Sequence, residues 1–115
     1  MIGIDLISIG RIEKLIARFG EKGLEKFLCA EEITLVKSPK TAAGFWAVKE
    51  AVSKALGCGI GGELAFHDII ITKTAKNAPL VRLSEKAAAH HGITEIVISI
   101  THDDGFAAAV AFIKK

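Results

Sequence analysis

The sequence, 115 residues long, predicts an α+β fold on three observations. Phe45 to Gly57 carries apolar residues at helical spacing, with Phe45, Val48, Val52, Ala55 and Leu56 on one side of the wheel. Ile2 to Ile7 is an apolar, strand-like run with one carboxylate in its middle. Near the end, the β-rich runs Glu95–Thr101 and Phe106–Ile113 flank Asp104-Gly105, a dipeptide that favours a tight hairpin turn. No linker, repeat or low-complexity segment divides the chain, so residues 1–115 are expected to form a single domain.

The elements follow in order. Ile2–Ile7 is the first strand. Ser8 caps a helix through Arg11–Phe19, because a serine oxygen can accept from a first-turn N–H that has no helical partner. Gly20 or Gly23 stops it. A short helix is expected over Glu31–Val36, ended by Lys37-Ser38-Pro39, after which Thr41 caps the long helix that closes at Gly57. His67–Thr72 and Pro79–Leu83 are β-rich runs joined by a polar loop and predict a hairpin. Ser84 caps a helix ending at His90-His91 with Gly92 behind it, and the last two strands complete the chain.

Composition narrows the function without choosing it. The formal charge of +2 lacks the concentrated basic footprint of a general nucleic-acid binder. No apolar run approaches the ~20 residues of a membrane span. The N-terminus does not read as a signal peptide, so a cytoplasmic protein is expected. Half of the residues are hydrophobic and the mean hydropathy is +0.41. Small chains expose much of their surface, so some apolar residues are expected to meet another subunit. Cys29 and Cys58 lack metal-site spacing and read as free thiols, Cys58 as a small filler residue.

Several side chains can carry chemistry. Glu50 and Lys54 lie one turn apart on the far side of the long helix, beside small Ala47, Ala51 and Ser53 that leave room for a ligand. Taken alone, the spacing favours an ordinary surface pair, worth a few tenths of a kcal/mol. Asp5, a charge within an apolar run, must be paired or bound to metal. Its partner is Arg11 or a helix N-terminus, or else Asp5 and Glu50 together offer two hard oxygen ligands to Mg²⁺. Gly57, Gly59, Gly61 and Gly62 form either a phosphate-contacting turn or a helix cap with a loop; the pattern is not a Walker A loop. His102 ends a strand beside Thr101, while Asp103 and Asp104 read as turn residues and His67, His90 and His91 as structural. Arg11, Lys14 and Arg18 recur at i, i+3 and i+7 beside the stripe Ile12, Leu15, Ile16 and Phe19, as a solvated face or a basic docking surface.

Two segments together resemble a known family. Gly3-Ile4-Asp5 and Trp46-Ala47-Val48-Lys49-Glu50-Ala51-Val52-Ser53-Lys54 are similar to the two signature motifs of 4′-phosphopantetheinyl transferases. The short length resembles the holo-acyl-carrier-protein synthase branch. Gly57-Cys58-Gly59-Ile60-Gly61 is similar to the family's glycine-rich turn. Leu64-Ala65-Phe66-His67-Asp68-Ile69 is similar to its next strand, and Ile98-Ser99-Ile100-Thr101-His102 to its late Ser-x-Ser/Thr-His strand. The chain departs at Phe45, where an arginine is frequent, at Asn77-Ala78-Pro79, where Gly-Lys-Pro is usual, and at Cys29, near which a Thr or Ser commonly opens the segment.

The resemblance implies a compact fold, mostly antiparallel sheet packed against the long motif helix, and a homotrimer with sites between subunits. It implies transfer of 4′-phosphopantetheine from coenzyme A to a serine of apo acyl carrier protein, releasing adenosine 3′,5′-bisphosphate, in fatty acid biosynthesis. Asp5 and Glu50 would hold Mg²⁺. Lys54 would neutralise phosphate charge, and Glu50, acting through water, would take the serine proton. Lys54, Gly57, Gly59, Gly61, Pro79, Thr101 and His102 would contact the coenzyme. Arg11 and Arg18 match carrier-protein positions, and Lys14 joins them by geometry. A coenzyme-binding module without turnover and a Mg²⁺-dependent phosphohydrolase are the competing readings.

Overall fold

The computed structural model describes all 115 residues, Met1–Lys115. β1 (Ile2–Ser8) leads into α1 (Ile9–Phe19), the short α2 (Glu21–Glu25) and α3 (Ala30–Ile33), and the long α4 (Pro39–Ala55). β2 (Ile69–Lys73), β3 (Pro79–Leu83), α5 (Glu85–His91), β4 (Glu95–Asp103) and β5 (Phe106–Lys114) follow. β1, β5 and β4 form one antiparallel sheet in that order, and β2 and β3 form a separate hairpin. The expected α+β class, antiparallel sheets with a long helix, is the class observed.

Local signals work as their chemistry requires. Ser8 Oγ accepts from the Arg11 N–H at 3.1 Å, and Ser84 Oγ accepts from Ala87 at 3.3 Å. Asp104 and Gly105 take φ of 48° and 80°, the paired positive angles that a tight hairpin turn needs. Other boundaries differ from expectation. α4 begins before Thr41, at Pro39, whose fixed φ suits a first turn and whose missing N–H leaves no donor stranded. The residue read as a stop is therefore a start. α3 covers only Ala30–Ile33. β2 begins at Ile69, because Phe66–Asp68 forms a 3₁₀ turn in which Asp68 Oδ2 accepts from Ala65 at 3.0 Å.

The core lies between α4 and the inner face of the three-stranded sheet. Ile7, Ala107, Ala109, Ala111 and Ile113 are buried there with Gly3. A Cβ on Gly3 would collide with the Ala51 carbonyl oxygen, so β1 rests directly on the helix backbone. The sequence reading gave Ala47, Ala51 and Ser53 to an open side with room for a ligand. All three are buried, and the room at Ala51 is taken by β1. Over its central turns, α4 stays open along one line only: Trp46, Glu50 and Lys54, one residue per turn.

Lys49 is the residue that the sequence reading missed. It is fully buried, and its ammonium donates to Glu32 Oε1 at 2.8 Å, to the Phe27 carbonyl at 2.8 Å and to the Phe66 carbonyl at 3.1 Å. Glu32 in turn accepts from the Cys29 and Ile71 N–H groups, each at 2.8 Å. All three lysine protons are used, so the buried charge is fully hydrogen-bonded. The pair ties α3, α4 and β2 together. Its signal was present in the sequence, since Lys49 follows Phe45 by four residues and so falls inside the apolar stripe.

The outer face of the sheet is uncovered. Ile2, Ile4 and Leu6 of β1, Phe106 and Phe112 of β5 and Val97 of β4 are each 43–67 % exposed, and the strand register brings them together.

Candidate active site

The strand-like start and the long helix meet at three charged side chains. Lys54 Nζ donates to Asp5 Oδ1 at 2.9 Å and to the Ile4 carbonyl at 3.2 Å. The residues are far apart in sequence, and the packing of β1 on α4 joins them. The partner of Asp5 is thus Lys54, and neither Arg11 nor a helix terminus. Glu50, one turn before Lys54, is half-buried. Its burial and, next, the Asp5 carboxylate push its pKa up, while Lys54 and Arg11 pull it back. The bond to Asp5 raises the pKa of Lys54 and keeps its ammonium charged.

This arrangement suits a hard cation. The Glu50 carboxylate has no ion-pair partner, and only its main-chain oxygen is engaged, by Ser53 Oγ at 2.7 Å. A carboxylate whose proton affinity is raised by burial and by a neighbouring carboxylate attracts positive charge. No three His, Cys, Asp or Glu side chains gather around one point. Asp5 and Glu50 thus offer two carboxylates and no third protein ligand, a donor set that Mg²⁺ accepts when water and phosphate complete its shell.

Further along α4, toward its N-terminus, lies a cavity of about 310 Å³. Thr41 and Phe45 of α4, Lys73 and Pro79 of the β2–β3 hairpin, and His102 of β4 line it. Two of the expected coenzyme contacts, Pro79 and His102, are therefore brought together. His102 Nε2 lies 3.1 Å from the Lys40 carbonyl, which only accepts, so Nε2 carries the proton in that bond. A Cβ on Gly44 would come within 3.2 Å of this nitrogen, so the bare Gly44 admits the imidazole against the helix.

Not every candidate joins these groups. Thr101 alternates with His102 and points to the outer face, beside Leu6 and Ala108. Thr101 is not among the residues that line the cavity of His102. The glycine turn also differs from the phosphate-cradle reading. Gly57 donates to the Lys54 carbonyl, Gly59 to Ser53 and Gly61 to Leu64, so these three N–H groups close the helix and its return. What the glycines leave free is space, for nothing lies within 4 Å of a Cβ at Gly57, Gly59 or Gly61.

Arg11, Lys14 and Arg18 are all exposed on α1. Arg11 stacks 5.2 Å above the Trp46 ring, which joins the basic face to the open line of α4. Trp46 in turn packs on Phe27 and Phe66 at 5.0 and 4.9 Å. Arg18 and Lys26 lie 5.1 and 4.0 Å from the Phe19 ring, extending the basic surface to the end of α2.

Known proteins resemble the chain over nearly its whole length. The model of the 4′-phosphopantetheinyl transferase superfamily matches residues 1–111. The chain is 56% identical over 115 residues to the holo-[acyl-carrier-protein] synthase of Wolinella succinogenes, covering 100% of this chain and 98% of that one. Its fold is similar to the crystal structure of Helicobacter pylori holo-[acyl-carrier-protein] synthase in complex with coenzyme A. The TM-score is 0.96 at 51% identity, over 99% of this chain and 100% of that one. A Bacillus anthracis holo-(acyl-carrier-protein) synthase in complex with CoA (3′,5′-ADP) aligns with a TM-score of 0.80 at 33% identity, over 97% and 93% of the chains.

Proposed function

Because the chain belongs to the 4′-phosphopantetheinyl transferase superfamily, we propose that it moves the 4′-phosphopantetheine group of coenzyme A onto a serine of an apo acyl carrier protein. Adenosine 3′,5′-bisphosphate is the leaving group. This is the activity of a holo-[acyl-carrier-protein] synthase, and we assign it to fatty acid biosynthesis in the cytoplasm. One observation carries the reading to this chain's own residues: Asp5 meets Lys54 at 2.9 Å, one turn from a half-buried Glu50.

Asp5 and Glu50 would hold Mg²⁺, which supplies positive charge to a pyrophosphate and so eases departure of its bisphosphate half. The serine oxygen forms the new bond to the β-phosphorus, and the bond from that phosphorus to the bridging oxygen breaks. Lys54 donates to the phosphate oxygens as charge moves toward the leaving side. Its raised pKa suits a donor and disqualifies it as a base. Glu50 accepts the serine proton through a water molecule. A carboxylate whose proton affinity burial has raised is the better acceptor. The glycines after α4 give the coenzyme clearance, and Pro79 and His102 contact it further along.

The uncovered apolar face is read as the surface on which copies of the chain meet, as a homotrimer with sites between subunits. In that assembly Thr101 faces a neighbouring copy, which accounts for its position on the sheet side opposite His102. Arg11, Lys14 and Arg18 receive the acidic carrier protein.

The test is direct. The protein is incubated with coenzyme A, Mg²⁺ and apo carrier protein, and the carrier is weighed by mass spectrometry. A mass gain of one phosphopantetheine group is the expected result. Cleaved coenzyme without an adduct would mark a hydrolase, and intact coenzyme with unmodified carrier would mark a binding module.

A further inference from the structure

Of the basic residues on α1, Arg11 alone is held by another part of the fold. Its guanidinium lies 5.2 Å from the centre of the Trp46 ring, on α4, and neither ion pair of the chain includes it. Arg18 stacks instead on Phe19, its own neighbour in the chain, and that ring is 42% exposed. A contact between chain neighbours moves with the helix surface. A contact between α1 and α4 is fixed by the packing of the two.

The Trp46 platform is itself braced. Its half-buried ring meets Phe27 at 73° and Phe66 at 47°, with centres 5.0 and 4.9 Å away. Phe27 is fully buried, and the Lys49 ammonium donates to the main-chain carbonyls of both phenylalanines, at 2.8 and 3.1 Å. An indole supported in this way offers one face in one orientation. A guanidinium stacked on such a face keeps N–H groups free for a carboxylate.

Position gives the contact its use. Trp46 and Glu50 lie one turn apart on the open line of α4, about 6 Å along the helix axis. A carboxylate that pairs with Arg11 is therefore held about one turn from the point where the serine must arrive. An arginine left free would have to be ordered at that moment, at an entropic cost to binding.

Resting on the transferase reading given above, we propose that Trp46 is a positioning residue. It orders the Arg11 guanidinium in advance for a carboxylate of the acidic carrier protein, and so sets where the carrier's serine stands against Glu50. It acts through Arg11 and not through Arg18.

KM for the carrier protein and KM for coenzyme A are measured for the parent, Trp46→Leu, Trp46→Phe and Arg11→Ala. Two double variants, Trp46→Leu with Arg11→Ala and Trp46→Leu with Arg18→Ala, complete the set, with a thermal melt of each. KM does not depend on how much of the enzyme is folded, so a lower melting point alone does not imitate the effect. For the carrier, Arg11→Ala should raise KM about tenfold and Trp46→Leu about threefold, the scale of an exposed cation–π contact. Trp46→Phe, which keeps a ring under the guanidinium, should regain most of the smaller loss. The double variant with Arg11→Ala should be no worse than Arg11→Ala alone, whereas the losses with Arg18→Ala should multiply. KM for coenzyme A should stay at the parent's value throughout. Losses that multiply with Arg11→Ala, equal rises in both KM values, or an unchanged Trp46→Leu would overturn the assignment while the transferase reading stands. A parent that leaves the carrier unmodified would overturn both.

Discussion

Two lysines on α4, five positions apart, each hold a carboxylate at almost the same distance. Lys49 meets Glu32 at 2.8 Å with both side chains buried, whereas Lys54 meets Asp5 at 2.9 Å with its own side chain 52% exposed. Bond length says nothing about their roles; surroundings decide. In the interior, removing one partner leaves a bare charge with no water to receive it. At the surface the pair is screened and easily exchanged, worth less than about 1 kcal/mol. The buried pair is therefore suited to hold elements together, and the exposed one to exchange partners.

The largest effect should come from the buried pair. Lys49→Ala is expected to destabilise the fold by about 3–5 kcal/mol, measured by urea unfolding, with transfer lost as a consequence. Replacing Lys49 by Met together with Glu32 by Leu should recover only part of that stability, because the orphaned charge is gone but the Cys29 and Ile71 N–H groups lose their acceptor. A single variant that unfolds at the parent's urea midpoint would erase the contrast between the lysines.

Next come the two carboxylates. Asp5→Ala and Glu50→Ala should each abolish transfer while melting close to the parent, and chelation of Mg²⁺ should do the same to the unaltered protein, reversibly. Full activity of both variants at low Mg²⁺ would remove the metal assignment. Lys54→Ala should lower turnover by roughly a hundredfold, the scale of one lost electrostatic donor, and cost less than about 1 kcal/mol of stability. Unchanged kinetics would return it to an ordinary surface pair.

Smaller effects sharpen the picture outside the pairs. Arg18→Glu should raise KM for the carrier protein severalfold and leave that for coenzyme A unchanged. Added salt should act likewise, since exposed charges are screened beyond ~8 Å at physiological ionic strength. Equal KM values throughout would mean that α1 is only a solvated face. The smallest effect concerns Glu50 itself. Its pKa is raised on folding, so the folded state keeps the proton longer than the unfolded one. Stability is then full below the ordinary carboxylate pKa and falls as pH rises through the raised value. At neutral pH the penalty is complete, and Glu50→Gln should raise the Tm of the metal-free protein slightly. A lower Tm would reverse the sign of that linkage.

What was legible in the sequence was what neighbours in the chain decide. Ser8, Ser84 and the Asp104-Gly105 turn act through atoms a few residues away, and each was placed correctly. Asp5, Glu50 and Lys54 were identified as a group, but which side of α4 is open was misread. That depends on β1, whose contact with the helix joins residues some fifty positions apart. Lys49 was passed over because a lysine in an apolar stripe looks like a surface residue until Glu32 arrives from another element. The glycine turn stayed open between a phosphate contact and a helix cap for the opposite reason. Its φ angles of 80° and 67° at Gly57 and Gly59 serve the helix end, and a cluster of glycines does not reveal where its N–H groups point.

Gly3 has no functional group, yet it governs the distance at which two functional groups stand. It lies two residues before Asp5, on the strand face that rests on α4 at Ala51, one position past Glu50. A single methyl group there would act as a shim, forcing strand and helix apart beside the pair that Asp5 makes with Lys54. Both would remain chemically intact and merely be out of gauge. The dimension that matters at this site is thus machined by an absent atom, and its tolerance is set by the thickness of a hydrogen.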